Sequence, residues 1–125
     1  MNKVFDGIYQ EKGSKFFAFI ANIDSLEELN ELKQIALDAH KKIKHTLVVC
    51  RFTDKDGKNT IIAQNDREPI KTASEIMATL ENLKYCNIAV CISRHFGGTL
   101  LGAGNLSRAY YQAFKAALQK YQEEN

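Results

Sequence analysis

The residues of this chain best suited to chemistry lie in one stretch near its C-terminal end, from Arg94 to Tyr111. The stretch contains four of the seven glycines, two arginines and His95. Glycine permits positive φ and close backbone approach, so the shape of this loop matters more than its side chains. A helix that follows would direct free N–H groups and the positive end of its dipole toward the loop. The stretch therefore predicts an anion-binding loop that contains Gly97, Gly98, Gly102 and Gly104.

Two guanidinium groups flank this loop, those of Arg94 and Arg108. Guanidinium forks bind two oxygens of a phosphate or carboxylate at once, and His95 and Lys115 add polar or charged groups nearby. An RNA backbone phosphate would fit such a site. The alternative is that either arginine pairs with Asp66 or Glu68 of the same chain and ties two loops together.

The known nucleotide-binding patterns do not match the stretch. No Lys-Ser or Lys-Thr follows Gly102 or Gly104, so the phosphate-binding lysine of a P-loop is missing. Ser107 stands where the dinucleotide fingerprint has glycine or alanine, and too little chain follows for the rest of a Rossmann unit. These departures argue against an ATPase and against a dehydrogenase.

Asp66 and Glu68 are a second chemical candidate. Residues two apart in an extended loop face the same way, so the two carboxylates could form a metal site or an acid–base pair. No nucleophile accompanies them, and Glu68 has the structural alternative of accepting hydrogen bonds from backbone amides of the glycine loop. We assign no catalytic residue except this alternative pair, and we predict no metal and no cofactor. His45 and His95 are isolated in sequence and receive no catalytic role.

A second basic cluster precedes the middle of the chain. It consists of Lys41, Lys42, Lys44 and His45, with Arg51 nearby in sequence. Such a cluster at a helix end can contact phosphates, and the alternative is a solvated lysine face.

Composition limits the class of protein. The 125 residues are 45% hydrophobic, which is enough to bury the core of one domain without metal or disulfides, so we predict a single domain over residues 1–125. A net charge of +2 does not by itself argue for nucleic-acid binding.

The odd number of cysteines, with no Cys-x-x-Cys pair, indicates buried thiols in a reducing compartment at Cys50, Cys86 and Cys91. No apolar run is long enough to span a membrane, so we expect a cytoplasmic protein without a membrane partner.

Hydrophobic patterning predicts seven elements. Strands are expected at residues 16–23, 46–53, 59–64 and 88–93, the second and third being joined by an Asp-Gly hairpin turn. Capping boxes at residues 25–28 and 72–75 predict two helices, the first with an apolar stripe that reaches Ile43. The last helix has the clearest stripe, formed by Leu106, Ala109, Tyr110, Ala113, Phe114, Ala117, Leu118 and Tyr121. The order predicts an α+β two-layer sandwich with helices on one face of a mixed β-sheet.

Several blocks together resemble the N-terminal domain of the Impact family, which in bacteria includes YigZ-type proteins. Gly13-Ser-Lys-Phe-Phe-Ala18 is similar to its opening segment, and Arg94-His-Phe-Gly-Gly98, Leu101-Gly-Ala-Gly104 and Arg108-Ala-Tyr110 are similar to its C-terminal elements. Glu68-Pro69 and Thr72-Ala73 stand where the family has Asp-Asp-Gly-Glu-Pro followed by Gly-Thr-Ala-Gly.

The chain departs from that pattern at five positions. Asn65 and Arg67 replace an aspartate and a glycine, and glycines are also replaced by Lys71, Ser74 and Asn105. Any activity that needs paired carboxylates is thereby put in question. Bacterial relatives carry a second, ferredoxin-like domain, which we expect to be absent here.

The resemblance implies a fold like the second domain of a small-subunit ribosomal protein, including a left-handed βαβ crossover. It also implies a role in regulating translation, since eukaryotic relatives act on translation initiation under stress. We therefore expect a regulatory binding module, rather than an enzyme, that contacts RNA, the ribosome or a protein of the translation machinery through the glycine loop. The alternative is a small hydrolase or transferase acting on a phosphorylated ligand. The sequence does not indicate the oligomeric state.

Overall fold

The computed structural model describes residues 1–43 and 45–124, so the expectation for Lys44 lies outside the described residues. The elements in chain order are β1 (Phe5–Glu11), β2 (Ser14–Asn22), α1 (Leu26–Leu37), β3 (Thr46–Thr53), β4 (Asn59–Gln64), α2 (Thr72–Asn82), β5 (Ile88–His95) and α3 (Ala103–Glu124). The α+β class is confirmed. β1 is an additional strand that the sequence patterning missed.

The five strands form one sheet in the order β1-β2-β5-β3-β4. Every neighbouring pair is antiparallel, so the prediction of a mixed sheet is wrong. The physical reason is that the parallel strands never become neighbours. β5 lies between β2 and β3, and β3 lies between β5 and β4.

Helices cover both faces of the sheet, which corrects the prediction of a two-layer sandwich with helices on one face. α2 and α3 pack on one face, over inward residues such as Val49 and Val90. α1 packs on the other, over residues such as Cys50 and Cys91. Because successive residues of a strand point to opposite faces, the near-continuous apolar runs of β3 and β5 need cover on both sides.

The two crossover connections have opposite hands. β2-α1-β3 and β4-α2-β5 each join parallel strands that are separated by one other strand of the sheet. The second connection crosses the sheet in the opposite direction to the first, and its strands run opposite to those of the first. These two reversals together would leave the hand unchanged. The helix of the second connection, however, lies on the other face of the sheet, which reverses the hand. One of the two crossovers must therefore be left-handed, although right-handed connections are the general rule.

The first capping box forms differently from the prediction. The Ser25 side chain makes no cap hydrogen bond, whereas the Glu28 carboxylate accepts a hydrogen bond from the backbone N–H of Asp24 at 2.6 Å. The same carboxylate pairs with the N-terminal amine of Met1. α1 ends at Leu37, so Ile43 is buried outside the helix.

α3 buries the eight residues of its predicted stripe and lies across β1 and β2. Its approach to β1 is close, because a Cβ added at Gly7 would lie 2.4 Å from the backbone nitrogen of Ala117 and 2.7 Å from the carbonyl oxygen of Ala113. Glycine at this position is what allows the helix to reach the strand.

The three cysteines differ in their exposure to solvent. Cys50 and Cys91 are buried, and burial raises the pKa of the Cys50 thiol to about 11. Cys86 is exposed, so the prediction of three buried thiols is wrong at this position.

Within residues 1–43 and 45–124, the helices lack the combination of length and apolar character that a membrane crossing needs.

Substituting Gly7 by alanine tests the contact between β1 and α3. We expect Gly7→Ala to lower the free energy of unfolding by about 2–3 kcal/mol, because backbone atoms of α3 cannot move away cheaply. Gly104→Ala is the matched control: a Cβ there meets no atom within 4 Å, and alanine is the better helix former. Urea denaturation of both variants measures the difference. Equal stability of the two variants would contradict this account of the packing.

Candidate functional site

The predicted site residues at the end of β5 line an open cleft of about 690 Å³. Arg94, His95 and Gly97 contribute from β5 and the residues after it, and Glu68 from the loop before α2. The other lining residues are Gly13, Lys42, His45, Phe96 and Tyr110. The cleft therefore joins the glycine loop to one of the two candidate carboxylates and to part of the second basic cluster.

A carboxylate held by two donors forms one wall of the cleft. Arg94 Nη2 donates to Glu68 Oε1 at 3.0 Å, and the Tyr110 hydroxyl donates to Glu68 Oε2 at 2.9 Å. Arg94 thus pairs with a carboxylate of its own chain, as the structural alternative expected, but Glu68 accepts from side chains rather than from loop amides.

The ionisation of these groups follows from their contacts. Burial first, and then the Glu68 carboxylate, raise the pKa of Tyr110, so its hydroxyl stays protonated and donates. Burial alone would lower the pKa of Arg94, but its hydrogen bond to Glu68 and the charge of that carboxylate raise it overall. The arginine is therefore a permanent cation whose charge is matched by Glu68.

The loop that carries Glu68 is a tight turn with two strained residues. Asp66 and Arg67 have φ values of 46° and 71°, and the N–H of Glu68 donates to the carbonyl of Asn65 at 3.0 Å. Positive φ at both central positions is the pattern of a type I′ turn, which favours glycine or asparagine. Arg67 occupies the position where the resembling family has glycine.

Asp66 is bound away from Glu68. Its Oδ2 lies 3.0 Å from Nδ1 of His45 and accepts the backbone N–H of Thr46 at 3.2 Å. The structure thus places the two carboxylates near the same cleft but gives each its own partners. This arrangement differs from that of an acid–base pair sharing one substrate.

The second capping box is also replaced. The cap residue of α2 is Lys71, which makes no side-chain cap hydrogen bond. Instead the Asn65 side-chain oxygen accepts the backbone N–H of Ala73 at 2.9 Å. Thr72 bonds through its hydroxyl to that of Ser107 at 2.6 Å and so links α2 to α3.

The four glycines of the predicted loop have different roles. Gly97 packs against the turn between β1 and β2, since a Cβ there would lie 2.1 Å from the carbonyl carbon of Gly13, and its N–H donates to the Ser14 hydroxyl at 3.0 Å. Gly98 and Gly102 have positive φ, at 93° and 79°. Gly104 lies inside α3 and has neither feature. Only Gly97 of the four lines the cleft.

Arg108 and Lys115 do not line the cleft with Arg94. Arg108 donates to the side-chain oxygen of Asn105 at 2.8 Å and lies 3.8 Å from a Glu11 oxygen. Lys115 lines a different hollow, formed between α3 and β1. The structure therefore divides the predicted anion-binding set between the cleft and other parts of the surface.

Arg51 lies away from the cleft as well. It donates to the backbone carbonyls of Leu80 and Tyr85, the latter at 2.5 Å, and so caps the end of α2. Of the described members of the second basic cluster, Lys42 and His45 line the cleft.

Sequence reasoning missed a histidine pair at the edge of the cleft. The rings of His40 and His95 are stacked, with centroids 3.7 Å apart and an angle of 28° between their planes. Desolvation first, then His95, Lys15, Lys41 and Lys42, lower the pKa of His40. The two histidines are 55 positions apart, and no local pattern could have paired them.

Comparison with known proteins gives a consistent family match. The model of the Impact N-terminal domain matches residues 12–118. The chain is similar to the IMPACT family member YigZ of Escherichia coli (strain K12), with 27% identity over 110 residues that cover 87% of this chain and 54% of the relative. It is also similar to the protein IMPACT homolog of Schizosaccharomyces pombe (strain 972 / ATCC 24843), with 29% identity over 111 residues that cover 86% of this chain and 39% of the relative. The chain thus spans about half the length, or less, of these curated relatives.

Two solved structures share the fold. A crystal structure of a hypothetical protein superposes with a TM-score of 0.76 at 25% identity, covering 94% of this chain and 58% of the other. The two-domain translational regulator Yih1 superposes with a TM-score of 0.50 at 21% identity, covering 95% of this chain and 47% of the other. At that identity the second likeness shows the fold alone.

The lowered pKa of His40 predicts a pH-dependent stability. Between its folded pKa and about 6.5, the unfolded chain binds a proton at His40 that the folded chain does not. The free energy of unfolding is therefore unaffected by His40 above pH 6.5. It falls as the pH drops from about 6.5 toward the folded pKa of His40.

NMR titration of the imidazole tests the shift directly. We expect His40 to titrate below the ordinary histidine value, and Lys15→Ala to raise its pKa because a nearby positive charge is removed. Lys120→Ala, a lysine on α3 that pairs with Asp6, is the control and should leave it unchanged. A His40 pKa at or above 6.5 in the unmodified protein would refute the account.

The strained turn gives a further prediction. A residue other than glycine in the left-handed region costs about 1–2 kcal/mol, so glycine at position 67 would relieve this strain. The greater conformational entropy of glycine in the unfolded chain offsets part of that stabilisation. We expect Arg67→Gly to raise the free energy of unfolding by about 0.5–1 kcal/mol. Arg67→Ala keeps a Cβ and should gain little, so equal stabilities of the two variants in urea denaturation would show that the turn is unstrained.

Proposed function

Because this chain belongs to the Impact N-terminal domain family, we propose that it is a non-enzymatic binding module of translational regulation that contacts ribosomal RNA through the cleft. The observation that carries the proposal is the charge of the cleft. Glu68, the carboxylate among the lining residues, is matched by Arg94. Lys42 lines the opening with no ion-pair partner among residues 1–43 and 45–124, whereas His45 lies against Asp66.

The wider surroundings of the cleft are also basic. Lys15, Lys41 and Lys42 are all close enough to act on the His40 imidazole. A local positive field of this kind attracts phosphates even when the net charge of the chain is small. The comparisons support the biological setting, because Yih1 is described as a translational regulator.

The hydrolase or transferase alternative has less support from the geometry. A general acid or base needs a free carboxylate within reach of its substrate. Both oxygens of Glu68 already accept hydrogen bonds, and Asp66 is occupied by His45 and the N–H of Thr46. These contacts suit a structural carboxylate better than a reacting one.

Salt-dependent binding to purified ribosomes tests the proposal. Each phosphate contact adds about 0.7 to the slope with which the logarithm of the association constant falls against the logarithm of the salt concentration. Two contacts therefore predict that the association constant falls about 7-fold as salt rises from about 50 to about 200 mM. We expect Lys41→Ala/Lys42→Ala to weaken binding at low salt and to flatten this dependence. Lys120→Ala removes the same kind of charge from the far end of α3 and should do neither.

Co-sedimentation with ribosomes, with and without nuclease treatment, gives the readout. Absence of binding at low salt would rule out the RNA contact. Binding that is insensitive both to salt and to the double variant, and that survives nuclease, would indicate a protein partner instead.

A further inference from the structure

Phe96 is an exposed aromatic ring on the wall of the cleft. It directly follows β5, and 47% of the residue is accessible to solvent. The apolar residue Leu101, farther along the same loop, is only 8% exposed. The loop therefore places Leu101 in the core and leaves the ring of Phe96 exposed.

The ring is also held in place. The guanidinium carbon of Arg94 lies 5.7 Å from its centroid, within the range of a cation–π contact. Arg94 is in turn fixed by Glu68, which is fixed by Tyr110. A ring positioned this way can receive a planar ligand without first being ordered.

The polar groups around Phe96 match the other parts of a nucleotide. A guanidinium has five N–H donors, and Arg94 uses one nitrogen on Glu68, so donors remain for a base edge or a phosphate. Lys42 lies on the same cleft and suits a phosphate, whereas His45 beside it is bound to the Asp66 carboxylate. Gly13 and Gly97 leave part of its wall without side chains, which allows close approach.

We propose that the cleft binds an unpaired nucleotide of single-stranded RNA, with the base stacked on Phe96 and the phosphate against Lys42. The inference rests on the proposed function and narrows it. Bases in a duplex have their faces covered by their neighbours, so only an unstacked base can present a free face to the ring. A volume of about 690 Å³ lies within the usual range of small-ligand sites.

Fluorescence anisotropy with three labelled RNAs tests this assignment. The probes are a 12-nucleotide single strand of mixed sequence, its duplex, and the same strand with central abasic residues. We expect the single strand to bind about 10-fold more tightly than either of the others, because a stacked base contributes on that scale.

Substitutions separate stacking from simple apolar contact. Phe96→Leu should weaken binding of the single strand about 10-fold and leave the weak duplex binding unchanged, whereas Phe96→Tyr should retain the preference. Leu100→Ala is the matched control, because Leu100 lies in the same loop, is 83% exposed and does not line the cleft. Thermal melting of each variant shows whether it is folded.

The outcomes distinguish the two levels of the argument. Equal binding of single strand, duplex and abasic strand, unchanged by Phe96→Leu, overturns the stacking proposal and leaves an RNA contact through phosphates. Failure of all three RNAs to bind at low salt, while ribosomes still bind, overturns the nucleotide proposal and points to a ribosomal protein.

Discussion

The Glu68 carboxylate is the contact on which the cleft depends. It joins three elements that are distant in sequence: the turn before α2, the end of β5 through Arg94, and α3 through Tyr110. The partly buried carboxylate is satisfied by one charged donor, the Arg94 guanidinium, and one neutral donor, the Tyr110 hydroxyl. Removal of either donor would leave an oxygen of Glu68 without its hydrogen bond. The shape of the cleft and the charge of its wall are therefore set together by one side chain.

The antiparallel sheet determines which residues can meet there. β5 lies at its centre, between β2 and β3, and its last residues emerge beside the turn that joins β1 to β2. The close packing of Gly97 on Gly13 fixes that end of the loop. Since α1 covers the opposite face, the segment that follows it delivers His40 and Lys42 to the same end of the sheet.

Local patterning predicted the elements whose stability is local in origin. The hairpin of β3 and β4 and the buried stripe of α3 match because turn chemistry and helical period determine them. β1 escaped prediction because Asp6 and Gly7 are poor strand formers, and only the packing of α3 explains the glycine. The face covered by α1 could not be predicted, since a near-continuous apolar run along a strand indicates that both faces are buried but not which helix covers each.

The site was predictable only in part, for the same reason. The pairing of Arg94 with Glu68 was among the open alternatives, because charge and loop position suggested it. The stacking of His40 on His95 and the hydroxyl bond of Tyr110 depend on tertiary distances that no spacing encodes. The helical period predicts Tyr110 as part of the core stripe, where its ring lies, but not the contact of its hydroxyl with Glu68.

The departures from the family pattern have a structural explanation that bears on function. Asn65 accepts the N–H of Ala73 through its side-chain oxygen, a capping role that asparagine and aspartate perform about equally well. Its replacement of an aspartate therefore removes a charge without removing the contact. Arg67 keeps the turn but in a conformation that suits glycine better. Because Glu68 keeps both donors in this altered turn, the contacts that form the wall of the cleft do not require a glycine at position 67.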